Sequence, residues 1–132
     1  MKNRFEIGTT KEYRKIVTEQ DTATFDSGNV HPVYATFALG RDAEWACRLF
    51  VLDMKEEHEE GIGTFLEIQH HSPALLNTEV VFTATLQSVN KNEVICSFTA
   101  KVGSRVVAVG RTGQKVLKKE KLEQLFNLIS IA

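Results

Sequence analysis

From Phe37 to Met54 the chain has no proline, and its apolar side chains cover so wide an arc that only a largely buried helix accommodates them. Leu39, Ala43, Ala46, Phe50 and Met54 share one face, with Ala38, Trp45, Leu49 and Leu52 beside them. The polar residues Arg41, Glu44 and Arg48 form a single narrow stripe. Such a helix needs an enclosing surface, and the sequence supplies it as strands. The acidic run Asp53 to Glu60, ending at Gly61, reads as a solvated exit loop. Four strands follow: Gly63 to Ser72, Glu79 to Val89, Glu93 to Val102 and Arg105 to Leu117. Asn90-Lys-Asn92 and Gly103-Ser104 are the tight turns between the last three. Val80, Phe82, Ala84 and Leu86 alternate with polar residues, as do Val94, Cys96, Phe98 and Ala100. Val106, Val107, Ala108 and Val109 leave neither face polar, which predicts burial on both sides, the second against a partner subunit.

A weak alternation over Glu12 to Val17 predicts a first strand, and the turn-rich Asp26 to Pro32 predicts a loop. Lys118 to Ser130 predicts an amphipathic helix with Leu122, Leu125, Phe126 and Ile129 on its stripe. The pattern is α+β: one domain over residues 1–132, an antiparallel sheet curled around one long helix. A chain of 132 residues builds such a core without disulfides or metals as staples. The net charge of −1 gives no pull toward nucleic acid or an anionic membrane. No apolar run reaches transmembrane length, and Met1 to Ile7 lacks the apolar stretch of a signal peptide, so the expectation is a reducing cytoplasm. Cys47 and Cys96 lie among apolar neighbours and read as buried free thiols. No spacing suggests a zinc site, and no cofactor is expected.

Three residues could carry chemistry. Glu44 places a carboxylate on the long helix, where it costs several kcal/mol if buried unpaired. Spacing alone favours an ion pair with Arg48, four residues on, with Arg41 one turn back. His70 shares a strand face with Thr64, Leu66, Ile68 and Ser72, which points it inward and His71 outward. Alone it reads as a satisfied core histidine, but beside a carboxylate in a dry cleft it forms an acid/base pair. Thr36, just before the helix, is most simply an N-cap.

Their order carries more than each alone. The run Tyr34-Ala-Thr-Phe-Ala-Leu-Gly-Arg-Asp-Ala-Glu-Trp-Ala-Cys47, followed by Gly61-Ile-Gly-Thr-Phe-Leu-Glu-Ile-Gln-His-His-Ser72, resembles the hot-dog-fold thioesterases of the fluoroacetyl-CoA thioesterase type. The resemblance spans about Val33 to Leu117. It implies a hot-dog fold, a homodimer paired across its sheets, and a site near the subunit boundary that hydrolyses a small acyl-CoA or related thioester. Matched by position, it implies catalytic roles for Thr36, Glu44 and His70, and a substrate-binding backbone amide at Gly63. The segment before Thr36 lacks the Phe-bearing lid associated with fluoroacetyl selectivity, which argues against fluoroacetyl-CoA as natural substrate. Gly110-Arg-Thr-Gly-Gln114 also departs from the family's Gly-Thr-His-Glu-Arg-like stretch. Arg111, Lys115, Lys118, Lys119 and Lys121 are candidates for the CoA phosphates, with solvated lysines the equal alternative. Two further readings stand beside hydrolysis, a non-catalytic acyl-CoA-binding module and a hot-dog acyl-CoA hydratase. Eight residues of helix span about 12 Å. Thr36 and Glu44 therefore reach one reacting atom only if Thr36 lies on a loop folding back or the two act across a dimer.

Overall fold

The computed structural model describes residues 1–25 and 28–131. Strand β1 (Thr10–Ile16) leads through a 3-10 turn at Glu19–Asp21 to a two-stranded ribbon, β2 (Thr22–Phe25) and β3 (Gly28–Tyr34). The ribbon corrects the expected loop at Asp26 to Pro32, where residues 28–32 are strand; Asp26 and Ser27 lie outside the described residues. Helix α1 (Thr36–Met54) follows, then β4 (Glu59–His70), β5 (Glu79–Asn90), β6 (Glu93–Val102), β7 (Arg105–Lys118) and α2 (Lys119–Ser130).

The main sheet has five antiparallel strands in the order β1-β5-β6-β7-β4. Only β5-β6-β7 is a meander. Residues 71–78 carry the chain across the end of the sheet, fastened by His71 N–H to Val107 O (2.8 Å), Leu76 N–H to Pro32 O (3.1 Å) and Asn77 N–H to Val17 O (2.8 Å). The crossing leaves β4 as an edge strand of 12 residues. It starts earlier than expected because the C-terminal half of β7 pairs with Glu59–Ile62 and draws the end of the acidic run into the ladder. The exit loop shrinks to residues 55–58.

The sheet curls over α1 as expected. Leu39, Ala43, Ala46, Phe50 and Met54 are buried against the alternating Val80, Phe82, Ala84 and Leu86 of β5 and Val94, Cys96, Phe98 and Ala100 of β6. Cys47 and Cys96 are free and buried. Within one chain, however, the sheet covers only one side of the helix. Trp45 stays 43% exposed, Phe37 61%, and Leu52 is exposed as well, so the apolar arc is wider than its cover. Within one chain the run Val106 to Val109 is covered only in part. Lys101 pairs with Val106 and Ala100 with Ala108, so Val107 is the extra residue of a bulge. Val107 and Ala108 are both buried while Val106 remains exposed. The missing alternation reflects that bulge. In α2 only Leu122 is buried; Leu125, Phe126 and Ile129 are exposed. Among the described residues no helix is long and apolar enough to cross a membrane.

Candidate active site

Helix α1 and edge strand β4 lie side by side and run in opposite directions, so the start of one meets the end of the other. Thr36 meets His70. A Cβ placed on Gly40 would sit 3.0 Å from Leu66 Cδ2, and one on Gly63 would sit 3.9 Å from Glu44 Oε2. Arg48 Nη1 donates to Gly61 O at 3.0 Å. Two pairs of candidate residues are thereby assembled, Thr36 with His70 and Glu44 with Gly63.

At the first pair, Thr36 Oγ1 and His70 Nδ1 are 2.9 Å apart. The expected N-cap role is corrected. Ala35 occupies the cap position, and Thr36 is the first residue of the helix, its hydroxyl spent on the imidazole. His70 Nε2 is buried with no hydrogen-bond partner among the described residues. Burial pushes the ring below its ordinary 6.5; the Ser72 backbone offsets part of this and His71 adds to it. The neutral form of the ring is thereby favoured. Thr36, His70, His71, Ser72 and Pro73 line an open depression of about 310 Å³.

At the second pair, Glu44 projects into a cavity of about 220 Å³ lined by Arg41, Trp45, Arg48, Gly63, Thr112 and Gln114. The ion pair favoured by spacing is not among the salt bridges of the described residues. Arg48 turns away to Glu60 Oε1 (2.7 Å), Gly61 O (3.0 Å) and Gln114 Oε1 (3.5 Å). Arg41 turns the other way, to Asp21 Oδ1 (2.7 Å) and to both oxygens of Asp42 (3.1 Å each). Asp42 also accepts from the buried Tyr34 hydroxyl. Burial pushes the Asp21 carboxyl up, but hydrogen bonds from Arg41, Thr18 and Lys15 outweigh it and hold the group at about 2. The Glu44 carboxylate thus stands between two arginines that are both committed elsewhere.

Gly63 differs from the glycines around it. A Cβ at Gly110 would fall 2.0 Å from Glu67 O, and one at Gly113 would fall 2.3 Å from Phe65 Cε1, so packing requires those glycines. A Cβ at Gly63 meets nothing closer than the 3.9 Å approach to Glu44, and its backbone is exposed beside the carboxylate. Thr112 and Gln114 were not singled out from the sequence. The available signal was that inward positions of β7, otherwise filled by Ala108 and Val116, become polar at these two residues. Of the cationic candidates, Arg111 is engaged by both carboxylate oxygens of Glu67 (3.2–3.3 Å) and lies over the Phe65 ring. Lys115, Lys118, Lys119 and Lys121 are exposed.

Because α1 is helical from Thr36 onward, the loop folding back is ruled out, and one chain holds its two pairs about 12 Å apart along the helix axis.

A family model described as fluoroacetyl-CoA-specific thioesterase matches residues 17–120. A Thermus thermophilus hypothetical protein, a thioesterase superfamily member, superposes with a TM-score of 0.89 at 35% identity, over 95% of this chain and 93% of its own. The fluoroacetyl-CoA thioesterase FlK superposes with a TM-score of 0.85 at 22% identity, over 94% of this chain and 96% of its own. A variant of FlK in complex with acetyl-CoA gives a TM-score of 0.84 at 20% identity, over 94% and 98%. No curated relative matches the sequence.

Proposed function

This chain belongs to the fluoroacetyl-CoA-specific thioesterase family and is a hot-dog-fold acyl-CoA thioester hydrolase, and we propose that it cleaves a small acyl thioester in a site shared between two subunits. The observation that carries the reading is the Glu44 carboxylate, which lines a cavity beside Gly63 and makes no ion pair among the described residues although Arg41 and Arg48 lie within helical reach.

In the proposed reaction Glu44 takes a proton from water as the water oxygen attacks the thioester carbonyl. The carbonyl electron pair moves onto oxygen, where the Gly63 N–H stabilises it. Collapse breaks the C–S bond, and the proton left on Glu44 or on the new carboxyl group returns to the departing sulfur through His70. A neutral imidazole suits a relay, accepting on one nitrogen and donating from the other. Thr36 fixes the ring and orients water or thioester. The acetyl-CoA complex of FlK supports a small acyl group carried on CoA. Fluoroacetyl is not the proposed substrate, because the segment before Thr36 lacks the Phe-bearing lid.

The second subunit follows from the edge. An edge strand of 12 residues templates pairing with another copy. Phe37, Trp45 and Leu66 are exposed on α1 and β4 beside that edge. If two copies of β4 pair antiparallel about a point between Leu66 and Glu67, Gly63 of each stands opposite His70 of the other. The Glu44–Gly63 pair of one copy then faces the Thr36–His70 pair of the second, which closes the gap within one chain. The proposed protein is a single-domain cytoplasmic homodimer.

Thiol release from a panel of short acyl-CoA esters tests hydrolysis, and its absence would leave an acyl-CoA-binding module as the better account. Mixing tests the shared site. Glu44→Gln and His70→Ala, each inactive alone, form heterodimers with one intact site, so an exchanged equimolar mixture regains about a quarter of wild-type turnover. A mixture that remains inactive after subunit exchange, or a monomer by light scattering, contradicts the shared site.

A further inference from the structure

Glu44 has two arginines within helical reach: Arg41 is three residues before it and Arg48 four after. Glu to Arg at i, i+4 is the more favourable orientation for a helix-surface ion pair. Neither makes that pair, and both side chains still line the cavity that holds Glu44. Arg41 is fixed by the two buried carboxylates Asp21 and Asp42. Arg48 is fixed less firmly. Its one ionic partner among the described residues is Glu60, a half-exposed residue on β4, at 2.7 Å; it also donates to the Gly61 carbonyl and the Gln114 amide oxygen.

We propose that Glu60 is a positioning residue whose role is to hold the Arg48 guanidinium off Glu44 and so leave that carboxylate free to act as a base. The proposal rests on Glu44 being the base. A carboxylate beside a guanidinium loses basicity, and its lone pairs are occupied by N–H donors where a water should sit. Without Glu60, Glu44, which lines the same cavity four residues before Arg48, is a carboxylate within its reach. The other side chains facing Glu44 are uncharged at Thr112 and Gln114 on β7, or already paired at Arg41, while Cys47 lies one turn on within the core. The arginine therefore decides the charge environment of the base.

The test compares wild type, Glu60→Ala and Glu60→Ala/Arg48→Met by crystal structure and by kcat on an acyl-CoA ester the wild type turns over. In Glu60→Ala, Arg48 swings to within ion-pair distance of Glu44 and kcat falls about tenfold, because the guanidinium occupies the lone pairs of the base. Removing Arg48 in the double variant restores most of kcat; loss of a merely structural contact would not be rescued in this way. An Arg48 that keeps its place in Glu60→Ala overturns the proposal whatever the activity. So does an impaired Glu60→Ala protein that Arg48→Met fails to rescue. Failure of the underlying reading shows separately, as full turnover by Glu44→Gln.

Discussion

Thr36 and His70, 34 residues apart in sequence, meet with Oγ1 and Nδ1 at 2.9 Å where the first turn of α1 passes the last residue of β4. The contact ties the imidazole to a rigid helix and leaves its other nitrogen without a partner among the described residues. Loss of the ring should lower kcat by about 10²- to 10⁴-fold, the usual contribution of a positioned acid/base group. Thr36→Val should do less, because it removes orientation and not the proton acceptor. His71→Ala should leave kcat within error despite standing next in sequence, since His71 is exposed. Equal losses at His70 and His71 would show that the depression, not the Thr36–His70 pair, matters.

The pH profile follows from the same ring. Burial holds the His70 ring below its ordinary 6.5, which disfavours the protonated form. The midpoint of any His70-dependent decline of wild-type kcat with acid should therefore lie below 6.5. An acid limb centred above 6.5 that disappears in His70→Ala is the contrary result.

Glu44→Gln separates the two meanings of a helical glutamate. If Glu44 is the base, the near-isosteric amide costs about 10³-fold or more in kcat, because water does not replace it. With Arg41 and Arg48 paired elsewhere, little stability is at stake, about 0.5 kcal/mol at most. Wild-type turnover with lost stability would restore the ion-pair account. Chemical denaturation and steady-state kinetics on one preparation decide it.

How much of this was legible beforehand differs by residue. The long helix and the β5-β6-β7 meander were, because their apolar periods of 3.6 and 2 persist over whole elements. The β2–β3 ribbon was not, since the turn-prone residues from Asp26 to Pro32 mask a strand held by pairing alone. The position of β4 was also hidden, because period 2 shows which way a side chain points and not which strand lies beside it. Glu44 and His70 were visible as candidates. That Arg48 would decline Glu44 was not, since Glu60 and Gln114 reach it only through strands β4 and β7. For the same reason Thr36 looked like a cap: the residue that claims its hydroxyl arrives with β4.

Glycines give a third contrast. Gly63→Ala adds a methyl group with ordinary clearance inside the chain but in the space where a thioester would approach Glu44. It should reduce kcat/KM by about tenfold or more while leaving the thermal midpoint within about two degrees. Gly113→Ala drives its Cβ into the Phe65 ring and should destabilise the fold by about 1–3 kcal/mol. If both substitutions act through stability alone, Gly63 has no part in the chemistry.

The last prediction concerns the acid side of folding. Asp21 is held at about 2 in the folded chain against 3.8 when free: burial opposes the charge, but hydrogen bonds from Arg41, Thr18 and Lys15 outweigh it. The folded carboxyl therefore binds its proton less readily than the unfolded one, and stability rises with pH between the two values. The contribution is complete above 3.8 and disappears as the pH falls toward about 2. A gap of this size is worth about 2 kcal/mol at neutral pH. Asp21→Asn should lose roughly that amount at pH 7, and its stability curve should converge on that of wild type near pH 2. Other carboxylates titrate in the same range, so the informative quantity is the difference between the two urea-unfolding curves across pH. A constant offset between them would mean that Asp21 contributes packing and neutral hydrogen bonds only. A gap that closes with acid would show that its charge, through Arg41, secures the start of α1 beside the Glu44 cavity.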